Sequence, residues 1–201
     1  MSVKMNRKRR FKRTARRLAK ILRIITVAPV PASVLFFLMY AYGKMNSVAE
    51  LICALATVSL LPLTAYPLQK IIPFFKNKGR EGQRTLAMIM STAGYVLSVT
   101  IAVFFRFSKA SCTVFITYLL SGIALLIINK VFKFKASGHA CGLAGPMGVI
   151  AYMTGPIGFA ISGTVLLLVF WSSLKLRSHT ALQYAVGALI PNIVFFSLIL
   201  I

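Results

Sequence analysis

Acidic residues are almost absent from this chain of 201 residues, which has 2 of them against 24 lysines and arginines. Magnesium sites in proteins depend on carboxylate ligands, so this scarcity argues against one. The chain also has only 3 cysteines, Cys53, Cys112 and Cys141, and no Cys-x-x-Cys spacing. An odd number of cysteines without metal-ligand spacing predicts neither a disulfide framework nor a zinc site. We therefore expect no metal and no cofactor.

Apolar residues, in contrast, are abundant. They make up 58% of the chain, and the mean hydropathy of +0.82 is typical of helical membrane proteins. The formal net charge of +22 would suggest nucleic acid as the partner of a soluble protein. Here nearly half of the cations precede residue 24, and most others lie in short loops between apolar runs. We therefore expect anionic membrane lipids as partners, and no nucleic acid.

The uncharged stretches have the length of membrane spans, about 20 residues. Four of them are Ile24–Gly43, Leu51–Gln69, Thr85–Phe105 and Ala110–Asn129. The next, Ala136–Leu174, is too long for one span, and Gly155-Pro156 marks a turn that divides it. The last runs from His179 to Ile201, with a kink expected at Pro191. The pattern predicts an all-α, polytopic integral membrane bundle of seven helices, or six if the first is peripheral.

The positive charges divide the chain into two parts and orient it. Residues 1–23 form a basic arm whose apolar positions recur at helical spacing, which predicts a cytoplasmic interfacial helix. Residues 24–201 form a single transmembrane domain. Strict alternation of the spans puts 21 cations on one membrane face and 3 on the other, namely Lys44, Arg106 and Lys109. The positive-inside rule then predicts that the amino terminus and the basic loops lie in the cytoplasm. We expect the membrane to be a bacterial inner membrane.

Two polar islands hold the only 2 histidines of the chain. The first is Ala136–His139, and the second is Lys175–Thr180. Ionisable residues beside bilayer-length segments are usually functional. Histidines among cations, with almost no carboxylates, suit chemistry on an anion such as phosphate. The predicted topology brings both islands to the membrane face that also carries the loop Lys76–Arg84.

In the first island, Ser137 and Gly138 lie where a loop meets the start of a helix. Backbone N–H groups are free to bind an anion there, and the Ser137 hydroxyl adds a donor. His139 is placed to protonate a leaving oxygen. The alternative is that Ser137 only caps the helix and that His139 is merely interfacial.

In the second island, His179 is the candidate nucleophile, because a neutral imidazole attacks phosphorus directly. Gln183, one helical turn later, is placed to accept the proton on the other ring nitrogen. Lys175 and Arg177 precede the histidine and add positive charge. The alternative is an interfacial histidine near lipid headgroups.

The basic loop before the third span supplies the remaining candidates. Lys76, Lys78 and Arg84 are expected to clamp phosphoryl oxygens, with arginine offering a planar fork of donors. The alternative is an ordinary positive-inside loop. Glu50, the one carboxylate near a span, is expected to reach the membrane surface rather than to relay protons.

The order of these patches resembles that of the type-2 phosphatidic acid phosphatase superfamily, which is related to haloperoxidase-like acid phosphatases. That family carries a Lys-x6-Arg-Pro motif, then Pro-Ser-Gly-His, then Ser-Arg-x5-His-x3-Asp. Ala136–His139 is similar to the second motif, and Ser172–His179, followed by Gln183 and Gly187, is similar to the third. Arg84 stands where the first motif has its arginine.

The resemblance covers about residues 60–195, and the chain departs from the family pattern at several positions in all three motifs, with Ala136 in place of the second motif's proline. Asn77 stands in place of the first motif's lysine, and Thr85 in place of its proline. Ser173 stands in place of the third motif's arginine, and Gln183 in place of its aspartate. An amide accepts a hydrogen bond but does not balance an imidazolium, and a comparable change in a serine protease costs about 10⁴ in rate.

The resemblance implies a metal-independent phosphatase that acts on a lipid phosphate or an isoprenoid diphosphate. His179 would form a phosphohistidine, and His139 would donate a proton to the leaving group. The charge on the oxygens would be held by a group of donors, namely Arg84, Lys78, Lys76, Ser137, Gly138, Lys175 and Arg177. The alternative is a catalytically degenerate member of the same fold that binds an anionic lipid headgroup without turnover.

Overall fold

A computed structural model describes the secondary structure of residues 2–200 and the side chains of residues 13–79 and 81–200. The side chains of residues 1–12, which belong to the predicted basic arm, and the predicted span end Ile201 lie outside the described residues. Helix accounts for 84% of the chain, and the described residues include no strand. The predicted all-α class is therefore confirmed. The helices are α1 Ser2–Ile25, α2 Pro29–Ala41, α3 Val48–Ala54, α4 Leu61–Leu63, α5 Ala65–Ile71, α6 Pro73–Lys76, α7 Gly79–Phe104, α8 Lys109–Lys130, α9 Gly138–Lys175 and α10 Ala181–Leu200.

Within the described part of the chain, 5 helices are long and apolar enough to cross a membrane. They are Val48–Ile71, which α3, α4 and α5 form together, then Glu81–Phe104 within α7, and α8, α9 and α10. A sixth is added if α1 and α2, which meet at an angle of 51°, count as one bent span. Side chains on the outside of the bundle are largely apolar, which is compatible with an integral membrane protein.

The segment Val48–Ile71 changes its helical pitch in the middle. Residues Leu55–Leu60 form a π-helix directly before Pro62. Proline has no N–H to bond the carbonyl of Val58 one turn earlier, and its ring would clash with that carbonyl in a regular α-helix. The wider π turn accommodates this clash. Leu63 and Tyr66, which follow it, line the cleft described below.

Helix α9 folds back on itself. A straight helix of 38 residues would separate its ends by roughly 57 Å. Instead, His139 at its start and Arg177 just beyond its end line the same cleft. The reversal is at Gly155, whose φ of 67° and ψ of −146° interrupt the helix in a conformation that glycine adopts readily. The predicted division of Ala136–Leu174 at Gly155-Pro156 is thus confirmed.

The core lies between α2, α8 and the first half of α9. Leu35, Phe36 and Met39 of α2 are fully buried, as is Phe115 of α8. The rings of Phe36 and Phe115 are 5.9 Å apart between centroids. The same core includes Ala140 and Leu143, so it reaches the first turns of α9.

The basic arm is docked on the bundle rather than only lying at its surface. Ala15 and Ala19 of α1 are buried, and the hydroxyl of Ser172 in α9 donates to the carbonyl of Ala19 at 2.7 Å. Helix α1 continues to Ile25, past the predicted arm boundary at residue 23, and α2 has only 13 residues. The first predicted span, Ile24–Gly43, is therefore replaced by a bent pair of helices.

Glu50 does not reach the surface as expected, because its side chain is only 1% exposed. One carboxylate oxygen accepts from the backbone N–H of Ser108 at 2.9 Å, and the other accepts from the hydroxyl of Ser111 at 2.6 Å. The hydroxyl of Ser108 is also 2.9 Å from the second oxygen. A buried carboxylate is retained only when it is hydrogen-bonded. Glu50 thus ties α3 to the first turn of α8.

Candidate functional site

An open cleft of about 1140 Å³ lies at the end of the bundle where α1 ends, α7 begins and both ends of α9 come together. Five cations line it: Arg16, Lys20, Arg23, Arg84 and Arg177. Its other polar lining residues are Gln83, His139 and Ser178, and its apolar ones are Ile24, Val27, Leu63, Tyr66 and Leu176. No carboxylate is among these described lining residues. The cleft therefore favours an anion joined to an apolar group.

The first polar island forms the start of α9. Ser137 caps this helix, with its hydroxyl oxygen accepting from the N–H of Ala140 at 3.2 Å, and its side chain is fully buried. The capping role weighed as the alternative for Ser137 is thus present. His139 is half-buried and lines the cleft, while Gly138 is exposed.

Two contacts join the first island to α10. The backbone N–H of Ser137 donates to the carbonyl of Gln183 at 2.9 Å. A Cβ atom on Gly187 would overlap the carbonyl oxygen of Ser137, so only glycine permits this approach. These contacts bring the segment of His139 against the helix that follows His179. The two imidazoles are close enough to interact electrostatically.

Thr26, between α1 and α2, orients His139. Its hydroxyl oxygen is 3.2 Å from Nε2 of His139 and 2.6 Å from the carbonyl oxygen of Leu22. A carbonyl only accepts, so the single hydroxyl proton goes to Leu22, and Nε2 must donate to Thr26. The Nδ1 atom is then the ring nitrogen that gains or loses a proton. No sequence signal indicated Thr26, because it is 113 residues away from His139.

His179 lies in the loop between α9 and α10 and is half-buried. Burial lowers its pKa below the ordinary value, and the positive charges of Arg23 and Arg84 lower it further. A hydrogen bond with the side chain of Gln183 and another with the backbone of Lys135 oppose this decrease. The net effect keeps His179 neutral at neutral pH. The neutral form is the one that acts as a nucleophile.

Gln183 also caps its own helix. Its side-chain oxygen accepts from the N–H of Thr180 at 3.1 Å, and the hydroxyl oxygen of Thr180 accepts from the N–H of Gln183 at 3.2 Å. This reciprocal pair is a capping box, and the spacing Thr-x-x-Gln was a signal for it in the sequence. The predicted partner of His179 is therefore shared between the imidazole and the helix start.

The predicted phosphate-binding cations separate into two groups. Arg84 and Arg177 line the cleft. Lys76, Lys78 and Lys175 are exposed and do not line it. The ammonium of Lys78 instead lies 4.1 Å from the ring centroid of Phe74. Arg84 lies in the second turn of α7, because this helix begins at Gly79 and not after Arg84 as expected.

Three of the lining cations belong to the basic arm, which was predicted to lie at the lipid surface and not to contribute to the site. Arg16, Lys20 and Arg23 of α1 all line the cleft. Arg23 is within electrostatic range of both His139 and His179. The spacing of the three was visible in the sequence, but nothing there showed which surface of the bundle they approach.

Among the residues that the structure describes, no group of three or more His, Cys, Asp or Glu side chains is arranged to hold a metal ion. Comparisons with protein-family models, with curated proteins and with solved structures find no match for this chain. Function is therefore inferred from the cleft residues themselves.

Proposed function

We propose that this protein is a membrane-embedded, metal-independent phosphatase that acts on a lipid phosphate or an isoprenoid diphosphate. One observation carries the proposal. His139 lines a cleft with five cations and, among the described residues, no carboxylate, and His179 of the other polar island, which does not itself line the cleft, is within electrostatic range of His139. Cations bind the phosphoryl oxygens, while one imidazole attacks and the other transfers a proton.

In the proposed reaction, a ring nitrogen of neutral His179 attacks phosphorus, and the bond between phosphorus and the leaving oxygen breaks. In the same step, His139 gives a proton from Nδ1 to the leaving oxygen. Water then attacks the phosphohistidine, His139 takes a proton from this water, and inorganic phosphate leaves. Arg84 and Arg177 would bind the oxygens on which negative charge accumulates.

The apolar part of the cleft suits the tail of such a substrate. Ile24, Val27 and Leu63 line the same cavity as the cations, together with Tyr66 and Leu176. Burial of methylene groups contributes about 0.8 kcal/mol each, so an acyl or prenyl chain in this region would add affinity. The substrate would then lie across the lipid–water boundary, with its phosphate in the cleft.

In the bilayer, we propose six or seven spans, with the two halves of α9 crossing as a hairpin. The amino terminus and the cleft would face the cytoplasm of a bacterium, because the cations are concentrated at this end. The exposed residues Asn77 and Lys44 test the orientation. In intact cells, an impermeant thiol reagent should label Lys44→Cys and not Asn77→Cys, and the opposite result would invert the topology.

A second function is favoured by the surroundings of Gln183. Its side-chain oxygen is engaged by Thr180, and an amide does not balance an imidazolium on His179. Under this alternative, the cleft binds an anionic lipid headgroup and presents it without hydrolysis.

Activity of the purified full-length protein in detergent separates the two functions. We expect phosphate release from a panel of lipid phosphates and isoprenoid diphosphates, and a loss of at least about 10³-fold in His179→Ala. Leu182→Ala, an exposed change three residues away, is the matched control and should retain activity. Acid-quenched samples of the wild type should contain a phosphohistidine.

Equal phosphate release by the wild type and His179→Ala would overturn the phosphohistidine mechanism. Tight headgroup binding without any phosphate release, unchanged in His179→Ala, would establish the binding function instead.

A further inference from the structure

The amino-terminal helix presents one face to the cleft. Arg16, Lys20 and Arg23 are spaced four and three residues apart, so their side chains lie on the same side of α1. All three line the cleft. They supply three of its five cations, which is more than α7 and the end of α9 supply together.

Another face of α1 packs against the bundle and fixes the position of the helix. Ala15 and Ala19 are buried, and their small side chains allow α1 to approach α9 closely. The hydrogen bond from the Ser172 hydroxyl to the Ala19 carbonyl fixes the helix along its axis. The cations therefore extend from a docked helix, which restricts them more than a free arm would.

The loop cations do not supply the same charge. Lys78 stacks on Phe74, and Lys76 does not line the cleft. Ser173, which stands where the family motif has an arginine, is uncharged and buried. Its carbonyl accepts the N–H of Ser178 at 3.1 Å. An anion in the cleft would therefore meet the charges of α1 together with those of Arg84 and Arg177.

We propose that Arg16, Lys20 and Arg23 form a clamp that binds the oxygens of a phosphate group in the cleft, whether a lipid or inorganic phosphate carries it. This inference rests on the proposed function of the same cleft, and it makes α1 a part of the binding site. We expect Arg23 to contribute most to binding, because it is within electrostatic range of both imidazoles. It also precedes Thr26, which contacts His139, by three residues. Arginine suits this position because its fork engages two oxygens at once.

Binding to the full-length protein in detergent tests the clamp. His179→Ala serves as the background, so that a phosphate ester is not consumed during the measurement. The probes are dioctanoyl phosphatidic acid and inorganic phosphate. Arg23→Gln should weaken binding of the lipid probe by about tenfold or more, and Arg16→Gln and Lys20→Gln by less, because these two side chains are exposed. Arg23→Lys should retain part of the affinity.

Arg17→Gln is the matched control. It removes the same charge from the same helix, but Arg17 does not line the cleft. We expect it to change the affinity by less than about twofold, since exposed charges at a distance are screened by salt. Melting temperatures within the series show that each variant is folded.

The outcomes separate the clamp from the proposed function. If Arg17→Gln and Arg23→Gln weaken binding equally, or if neither does while Arg84→Gln does, the clamp is overturned and the phosphatase stands. If binding of the lipid probe depends on Arg23 and the wild type releases phosphate from no member of the lipid panel, the phosphatase is overturned and the clamp stands. Inorganic phosphate binding with the same Arg23 dependence would show that the phosphate group alone is recognised. If the wild type binds neither probe, both proposals are overturned.

Discussion

The two ends of the bundle differ in how their charged side chains are placed. At the end opposite the cleft, the carboxylate of Glu50 is buried and accepts hydrogen bonds from Ser108 and Ser111. At the cleft end, five cations and His139 face an open cavity. A charge whose hydrogen bonds are made within the protein stabilises the fold. Charges grouped around an opening form a positive surface that a ligand can reach.

The comparison also shows that composition alone is a poor guide to role. Glu50 is one of only 2 acidic residues, yet its surroundings are those of a structural group. The arginines and lysines number 24, as is common for basic membrane proteins, yet five of them line the candidate site. Substitutions at the two ends should therefore separate activity from stability.

The largest expected effect is on activity at the cleft end. His139→Asn should lower kcat by about 10²- to 10⁴-fold, because the leaving oxygen loses its proton donor. The melting temperature should change little, since the imidazole is half-buried and lines the cleft. Assays of phosphate release and thermal unfolding on the same preparation measure both. A large loss of stability with unchanged kcat would show that His139 supports the fold and does not take part in the reaction.

The next effect is on stability at the opposite end. Glu50→Ala should lower the free energy of unfolding by about 3 kcal/mol, because donors on Ser108 and Ser111 lose their acceptor. Activity per folded molecule should be unchanged. Denaturation in detergent measures the effect, and Glu81→Ala, at an exposed position, is the control. Equal losses in the two variants would show that the Glu50 contacts do not stabilise the bundle.

A smaller effect is expected at Thr26. Thr26→Val keeps the shape of the side chain but removes the acceptor for Nε2 of His139, so kcat should fall about tenfold. Thr26→Ser restores the hydroxyl and should retain most of the activity. The nitrogen chemical shifts of the His139 ring should report loss of the Nε2–H tautomer in the valine variant only. Identical behaviour of the two variants would contradict the orienting role.

The smallest effect is a change of pH dependence. Glutamate also forms a capping box, so Gln183→Glu should leave α10 intact. Its negative charge would raise the pKa of His179 and oppose the lowering by burial, Arg23 and Arg84. His179 would then stay protonated to a higher pH, and the acid limb of kcat/KM should move upwards. A shift to lower pH, or none, would indicate that Gln183 does not interact with the nucleophile.

The sequence was sufficient for those parts of the fold and site that depend on local pattern. The turn at Gly155 follows from a glycine before a proline in a run too long for one span. Arg84, Arg177 and His139 were predicted site residues, and all three line one cleft. Alternation of the spans is what brings their segments to the same end.

The contact of Thr26 with His139, the position of α1 at the cleft and the burial of Glu50 were not predictable in this way. Each depends on a contact between distant segments, such as the 113 residues between Thr26 and His139 or the 58 between Glu50 and Ser108. A periodic pattern shows that a helix has two faces. It does not show which neighbour each face meets.

The amino-acid sequence by itself determined the all-α class, the concentration of cations at one end of the bundle and the presence of two histidines beside apolar runs. These features follow from composition and spacing, because the hydrophobic length and the charge of a segment do not depend on its neighbours in the fold. Only the tertiary structure decided that α1 is a wall of the cleft, that Thr26 selects the ring nitrogen of His139 that exchanges its proton, and that Glu50 is internal. Such roles arise from packing, where the close approach at Gly187 and Ala19 sets which side chains meet.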